Sequence, residues 1–317
     1  MTLFDGRGTG AFPVALDGSV FGSTCDEPAS HAVLDAYADA GGNVIDTADS
    51  YSAWVPGNSG GESEAIVGSW LARRRNRDRV ILATKIGKHP RFPGLSAGTV
   101  VAAVDASLVR LGTDRVDLCV AHADDPGTPL EETVAAFDAQ VRAGKIGAVG
   151  LSEFTAGRVR EWVRIARDNG YSLPTVLQPR YHLVRRETAE RDLVAVAAGE
   201  RLAVMPYFSA SSGFLSARYQ GRPDRRGEPR ADRSDAHYFS HAGLWAFDAL
   251  ETIALERHVK PAVVALAWLR AQPGVLAAIV TVRSPDQLPD MIAGARLDLG
   301  ARERAALDEI SETELDD

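Results

Sequence analysis

The feature that most constrains the fold is a regular alternation of short apolar runs with amphipathic helical patterns along nearly the whole chain. About eight such strand–helix units recur at spacings of roughly 30 to 40 residues. The strand candidates are apolar throughout, as is typical of parallel strands covered on both faces. After two short strands at 12–16 and 18–21, they lie at 43–45, 80–84, 116–121, 146–151, 176–177, 202–205 and 277–280.

This alternation favours a closed (β/α)8 barrel of the TIM type, an α/β fold, over an open doubly wound sheet. No Gly-x-Gly-x-x-Gly sequence follows a strand candidate, which weakens the open dinucleotide-binding fold. We predict a single domain over residues 1–317, with an N-terminal β-hairpin and long loops at the C-terminal mouth. The second short strand, 18–21, is the candidate first barrel strand. Residues 211–243, rich in Arg, Gly and Pro, predict a mobile surface loop, with a lid over a bound anion or cofactor as the alternative.

Composition narrows the function classes. Of 317 residues, 45% are hydrophobic, and the net charge of −8 disfavours a nucleic-acid partner. The two cysteines, Cys25 and Cys119, provide neither a disulfide framework nor a metal-binding spacing. The N-terminal residues lack the apolar core of a signal peptide, and no apolar run approaches the roughly 18 residues of a membrane span. We expect a cytoplasmic protein without a membrane partner.

Polar residues close nearly every strand candidate. Each one alone has an ordinary explanation, such as a turn-capping aspartate or a structural histidine. In a barrel, however, the C-terminal ends of the strands converge on one mouth, where such enzymes place their chemistry. The residues in these positions are Asp46 with Tyr51, then Lys85, His122, Ser152, Gln178, Tyr207 and Arg283.

Four of these residues define a chemistry. A phenol such as Tyr51 has a reference pKa near 10, and a neighbouring ammonium such as Lys85 lowers the pKa of a phenol. A carboxylate paired with that lysine, Asp46, holds it in place, and an imidazole, His122, can orient a carbonyl oxygen. Together they would protonate an oxygen as negative charge develops on it, which reduction of a carbonyl by hydride requires.

Hydride chemistry needs a cofactor, and residues 281–287 offer an anion site. Ser284 is predicted as the N-cap of a helix, with Pro285 at N1 and Gln287 at N3. Such a helix start presents free N–H groups, and the adjacent Arg283 can bind a phosphate with two parallel hydrogen bonds. A capped surface helix with a solvated arginine is the alternative interpretation.

Another barrel enzyme, a glycosidase, would need two carboxylates at the mouth. Asp46 with Asp124 or Asp125 could supply them, but Lys85 would then have no role.

The ordered motifs resemble the aldo-keto reductase family nearly end to end. The matching segments are Gly18–Gly22, Gly42–Tyr51 with its Asp-Thr-Ala-x-x-Tyr signature, Thr84–Lys85, His122, Gly144–Ser152, Gln178–Tyr181 and Pro206–Tyr207. The resemblance implies an NADP(H)-dependent reductase of a small carbonyl substrate, with Tyr51 as proton donor, Lys85 and Asp46 as its partners and His122 orienting the carbonyl. The resemblance also implies the cofactor-binding residues, which are Ser19, Val20, Asp46, Ser152, Glu153, Gln178, Tyr207, Phe208, Ser209, Gly213, Leu215, Thr281, Arg283, Gln287 and Met291.

Two residues depart from the family pattern. Glu153 stands where the family commonly has Asn, and a carboxylate can accept from the nicotinamide amide but cannot donate. Met291 stands where an Asn often contacts the adenine side. The segment Gly213–Tyr219 resembles a bacterial oligomer-forming branch, which makes a homo-oligomer an open expectation. The alternative function is an NADP(H)-binding regulatory or scaffold protein with little turnover, similar to channel-associated members of the family.

Overall fold

Eight parallel strands organise the residues that the computed structural model describes, which are 10–183, 189–207 and 241–312. The strands of this sheet run in the order β10-β1-β2-β3-β6-β7-β8-β9. They are β1 (Val14–Asp17), β2 (Val44–Asp46), β3 (Ile81–Ile86), β6 (Leu118–Ala121), β7 (Val149–Ser152), β8 (Pro174–Gln178), β9 (Ala203–Val204) and β10 (Ala278–Thr281). A small antiparallel hairpin, β4 (Lys88–His89) and β5 (Phe92–Pro93), follows β3.

Hydrogen bonds between the two ends of this order close the sheet. Val204 N donates to Gly274 O at 2.8 Å, and Leu276 N donates back to Val204 O at 2.9 Å. Ile279 N donates to Pro206 O at 2.8 Å, one step nearer the mouth. The predicted (β/α)8 barrel is therefore confirmed.

Helices follow the strands around the outside of the barrel. They are α1 (Glu27–Asp39), α2 (Glu62–Arg74), α3 (Ala97–Leu111), α4 (Leu130–Arg142), α5 (Ala156–Asn169), α6 (Ala195–Glu200), α7 (His241–Arg257), α8 (Pro261–Arg270), α9 (Leu288–Arg296) and α10 (Ala301–Glu312). A π-helical stretch, Ala189–Val194, precedes α6, and short 3-10 helices lie at Gly18–Val20, Arg77–Arg79 and Pro285–Gln287.

The alternation of side chains along the strands divides the core into two layers. One face points into the barrel, where small and branched residues such as Ala15, Ala83 and Val120 are buried together. The other face packs under the helices, where the larger core contains Trp70 and Trp162. Both faces are buried, which explains why the strand segments are apolar throughout.

The predicted N-terminal β-hairpin is wrong within the described residues. The first barrel strand is β1, which pairs in parallel with β2 and β10, and Gly18–Val20 forms a 3-10 helix. Asp17 explains the difference, because its side chain accepts a hydrogen bond from Ser19 N and ends the strand. The apolar Val20 and Phe21, which suggested a strand, are buried beneath this turn.

Two further predictions concern the 211–243 loop and the start of α4. Most of the predicted loop at 211–243 lies outside the described residues, and its last three residues begin α7. The sequence Thr128-Pro129-Leu130-Glu131 predicts a helix with Thr128 as its N-cap. That position of α4 is taken by Pro129 instead, and the Thr128 hydroxyl donates to Asp125 Oδ2 at 2.7 Å.

Candidate active site

The centre of the site is the buried ammonium of Lys85, which β3 directs toward the mouth of the barrel. Lys85 Nζ donates to Asp46 Oδ2, to Thr47 O at 3.0 Å and to Tyr51 Oη at 3.0 Å. The ammonium also lies 4.8 Å from the centroid of the Tyr51 ring. Three of the four residues predicted as catalytic therefore form one hydrogen-bonded group.

Backbone pairing beyond β2 places the tyrosine. Thr47 N donates to Ala83 O and Asp49 N donates to Lys85 O, both at 2.9 Å, so the chain continues alongside β3 after the strand ends. A turn then follows, in which Tyr51 N donates to Ala48 O at 3.3 Å. Four residues separate Asp46 from Tyr51 because the chain must make this turn before the hydroxyl can reach the lysine.

Asp46 connects the lysine to the far side of the barrel. Its Oδ1 accepts from Gln178 Nε2 at 2.9 Å, and Ser152 Oγ donates to Gln178 O at 3.0 Å. Burial raises the pKa of Asp46, whereas the lysine ammonium and the glutamine amide oppose that rise by favouring the charged carboxylate. The paired carboxylate and ammonium thus compensate each other in the interior.

His122 lies on the other side of Tyr51. It follows β6, its backbone N–H donates to Ile86 O at 3.0 Å, and its ring centroid is 6.2 Å from that of Tyr51. Burial, followed by the positive charges of Lys85 and Lys88, holds the pKa of His122 well below its usual value. The imidazole is therefore neutral near pH 7 and keeps one N–H to donate to a carbonyl oxygen.

The end of β8 carries a buried polar atom, Gln178 Oε1, that accepts no hydrogen bond from the described residues. Buried polar atoms are rarely left unpaired, so the site fits a ligand that donates from an amide N–H. Tyr207, half-buried beside it, is held by a hydrogen bond from its N–H to Pro179 O at 3.0 Å.

The 281–287 anion site departs in detail from its prediction. Ser284 is the N-cap of the 3-10 helix, but its side chain makes no capping bond, and Gln287 Oε1 accepts from Arg283 N at 2.8 Å. The Arg283 side chain is exposed. Thr281 Oγ1 donates to Asp17 Oδ2 at 2.7 Å, which ties the end of β10 to the end of β1.

The remaining predicted cofactor residues divide into three groups. Ser19 lies at the mouth, where its hydroxyl donates to Asp17 Oδ2 at 2.6 Å. Val20 and Met291 are buried in the hydrophobic core, so their cofactor roles stay predictions. The predicted positions that lie outside the described residues are Phe208, Ser209, Gly213 and Leu215.

Two polar residues of the mouth escaped sequence reasoning. Asp17 ends β1, so the same strand-end rule would have found it had the first strand not been placed at 18–21. Lys88 lies on the hairpin after β3 and pairs with Glu153 at 2.6 Å. No sequence pattern connects residues so far apart in the chain.

The carboxylates needed for a glycosidase are already engaged. Asp124 accepts two hydrogen bonds from Arg158, at 2.8 and 2.9 Å. Asp125 accepts from Leu95 N at 2.8 Å and from Thr128 Oγ1, and these bonds lower its pKa. A general acid needs a raised pKa, whereas that of Asp125 is lowered, and the Asp124 carboxylate is paired with Arg158, so the glycosidase interpretation is disfavoured.

The sequence offers three aromatic residues as candidate walls of an apolar pocket, Trp54, Phe92 and Trp245, and Trp54 differs from the other two. Its side chain is 58% exposed, and its ring lies edge-on to that of Tyr51 at 6.2 Å between centroids. Phe92 instead packs against the core from the hairpin, and Trp245 is exposed on α7. Trp54 is thus the aromatic surface beside the phenol.

Neither a metal site nor a membrane-spanning helix is found in the part of the chain that is described. No group of three or more metal-binding side chains comes together there. Nor does any helix in those ranges combine the length and apolar character needed to cross a bilayer.

Comparison with known proteins agrees with this geometry. A family model described as Aldo/keto reductase family matches residues 14–312. The chain is similar to norsolorinic acid reductase B of Aspergillus parasiticus, at 30% identity over 92% of this chain and 76% of that protein. It is 31% identical to the aldo-keto reductase YhdN of Bacillus subtilis, over 86% of this chain and 80% of that protein. A protein named for a voltage-gated potassium channel subunit beta in Schizosaccharomyces pombe is 28% identical, over 80% of this chain and 75% of that protein.

Proposed function

The chain belongs to the aldo/keto reductase family, and on that premise we propose that it is an NADP(H)-dependent reductase of aldehydes or ketones. The family and the reductase names of its relatives support carbonyl reduction in general. The observation that carries the finer proposal is the buried ammonium of Lys85, which donates to both the Asp46 carboxylate and the Tyr51 hydroxyl. We also propose that the whole chain forms one barrel domain, since the family model covers nearly all of it.

Tyr51 is the proton donor in this proposal. NADPH, when bound, supplies the hydride that the carbonyl carbon accepts. Negative charge then develops on the carbonyl oxygen, and the Tyr51 hydroxyl transfers its proton to that oxygen. The ammonium of Lys85, 3.0 Å from the phenol oxygen, stabilises the phenolate that remains. The neutral imidazole of His122 donates a hydrogen bond that orients the carbonyl.

The residues opposite the phenol would hold the cofactor. Gln178 Oε1, which has no hydrogen-bond partner within the described ranges, fits an amide N–H of the nicotinamide, and Ser152 lies next to Gln178. Tyr207 offers an aromatic face to the ring. Arg283, exposed beside the 3-10 helix, would bind the phosphate that distinguishes NADPH from NADH.

Two measurements test the proposal. Titration of the intact protein with NADPH and NADH, followed by tryptophan fluorescence, should show clearly tighter binding of NADPH. Tyr51→Phe should abolish NADPH oxidation with carbonyl substrates while leaving NADPH binding nearly unchanged. Tyr171→Phe is a matched control, because Tyr171 packs near the other end of the barrel and should lose no activity. Substantial turnover by the Tyr51→Phe variant would refute the assignment of the proton donor.

The second candidate function is an NADP(H)-binding regulatory protein with little turnover, and the similarity to the channel-subunit-named protein favours it. Both candidates predict NADPH binding, so only turnover separates them. A protein that binds NADPH tightly but oxidises it with none of a broad panel of aldehydes and ketones would fit the second function.

A further inference from the structure

Glu153 is held in an uncommon backbone conformation directly beside the proposed nicotinamide site. It follows Ser152, the last residue of β7, and has a φ of 53°, in the left-handed region. That region is unfavourable for residues other than glycine because of their β-carbon. Residues in this conformation persist where the surrounding structure holds them, often at functional sites. Glu153 thus has a constrained backbone directly after the last residue of β7.

Lys88, on the β4–β5 hairpin, forms an ion pair with Glu153. Lys88 Nζ lies 2.6 Å from Glu153 Oε2, with the two side chains 36% and 46% exposed. An ion pair this exposed adds little stability, about 0 to 1 kcal/mol. Stability alone therefore gives a weak reason for pairing a lysine with a residue in this conformation.

Electrostatics and chain position both connect this pair with residues of the proposed site. Lys88 is one of the two lysines whose positive charge lowers the pKa of His122, the other being Lys85. Glu153 directly follows Ser152, whose hydroxyl donates to Gln178 O at 3.0 Å. Glu153 is therefore next in the chain to a residue that contacts Gln178, whose Oε1 accepts no hydrogen bond from the described residues.

We propose that Lys88 and Glu153 act as a unit that binds the carboxamide of the nicotinamide ring. A primary amide has two N–H donors and one carbonyl acceptor. Gln178 Oε1 and a Glu153 oxygen would accept from the two N–H groups, and Lys88 Nζ, which has three N–H donors, would donate to the carbonyl oxygen. Lys88 thus supplies the donor that a lone carboxylate at position 153 lacks.

This inference rests on the proposed cofactor, and ligand binding can test it without turnover. The intact protein is titrated with NADP⁺ and with 2′-phospho-ADP-ribose, which is the same molecule without the nicotinamide. Lys88→Met should weaken NADP⁺ binding about tenfold or more, the effect of losing one charge-assisted hydrogen bond, and should change 2′-phospho-ADP-ribose binding less than about twofold. Lys88→Arg, which keeps a donor, should recover most of the affinity for NADP⁺.

Two further variants sharpen the test. Adding Glu153→Asn to Lys88→Met should restore NADP⁺ binding, because an Asn amide carries both a donor and an acceptor and tolerates the left-handed conformation. Lys145→Met is the matched control, since Lys145 forms a similarly exposed pair with Asp105, 35% and 50% exposed, before β7 at the opposite end of the barrel. It should leave both affinities unchanged.

Each outcome decides between the inference and its premise. If Lys88→Met weakens both ligands equally, or neither, Lys88 has no role at the carboxamide and the inference is overturned. If the unmodified protein binds 2′-phospho-ADP-ribose as tightly as NADP⁺, the carboxamide is not recognised and the inference also fails. If the unmodified protein binds neither ligand, the proposed cofactor itself is wrong.

Discussion

Replacing Asp49 with Asn should stabilise the protein at high pH. Asp49 lies in the turn that carries Tyr51, and its side chain is completely buried together with that of Glu64. Glu64 accepts hydrogen bonds from Thr84 Oγ1 at 2.5 Å and from Arg110 Nε at 2.6 Å. Burial and the charge of Glu64 together raise the pKa of Asp49 to about 8, although Arg110 and backbone N–H groups oppose the rise. The folded protein therefore keeps a neutral carboxyl here at pH 7.

The sign of the effect follows from proton binding. An unfolded Asp loses its proton near pH 3.9, whereas the folded Asp49 keeps its proton up to about pH 8. Between these values the folded state binds one more proton, so the free energy of unfolding falls as the pH rises, by about 1.4 kcal/mol per unit. The full interval gives an upper bound of about 6 kcal/mol for this contribution. Above about pH 8 Asp49 is ionised in both states, so this loss in the free energy of unfolding no longer changes with pH.

Asn cannot ionise, so Asp49→Asn removes this penalty. Urea unfolding followed by tryptophan fluorescence at pH 5, 7 and 9 should show the variant gaining stability relative to the unmodified protein as the pH rises. Asp78→Asn is the control, because Asp78 is 85% exposed and its difference from the unmodified protein should change little with pH. A difference for Asp49→Asn that is flat across this range, or that grows toward low pH, would refute the assignment of a neutral buried carboxyl.

Three further predictions concern the mouth. Because burial, Lys85 and Lys88 hold the pKa of His122 well below its usual value, kcat/KM for a carbonyl substrate should show no inflection near pH 6.5, and a clear one there would contradict a neutral imidazole. Trp54→Leu should raise KM for benzaldehyde more than for cyclohexanecarboxaldehyde, by a few-fold, since an exposed indole gains stacking energy only with an aromatic partner; equal effects on both aldehydes would count against stacking. Arg283→Ala should weaken NADPH binding about tenfold in fluorescence titration and leave NADH binding nearly unchanged. An equal loss of affinity for both cofactors would contradict the proposed contact between Arg283 and the phosphate.

The barrel and the catalytic group could be predicted from sequence because both depend on local order. An apolar run followed by a polar residue marks the end of a strand, and barrel geometry brings such ends together whatever lies between them. Asp46, Lys85 and Tyr51 were found in this way, and the structure brings them into one hydrogen-bonded group.

The features that could not be predicted depend on side-chain contacts that a sequence pattern does not show. An apolar segment after Asp17 resembled a strand, but the side chain of that residue caps a turn instead. Thr128 could have capped α4, but a stronger partner, the Asp125 carboxylate, engages its hydroxyl. The contact between Lys88 and Glu153 joins two loops through tertiary packing alone.

The two hydrogen-bond partners of Asp46 connect proton transfer to cofactor recognition. An ionised carboxylate only accepts hydrogen bonds, so Gln178 must turn its amide nitrogen toward Asp46 Oδ1 and its oxygen away. The same charge holds the ammonium of Lys85 beside the phenol. The buried carboxylate of Asp46 therefore positions two groups: the Lys85 ammonium, which donates to Tyr51, and the Gln178 oxygen, which would accept from the proposed nicotinamide amide. This explains why a charge so costly to bury lies at the centre of the barrel, between the two groups that it orients.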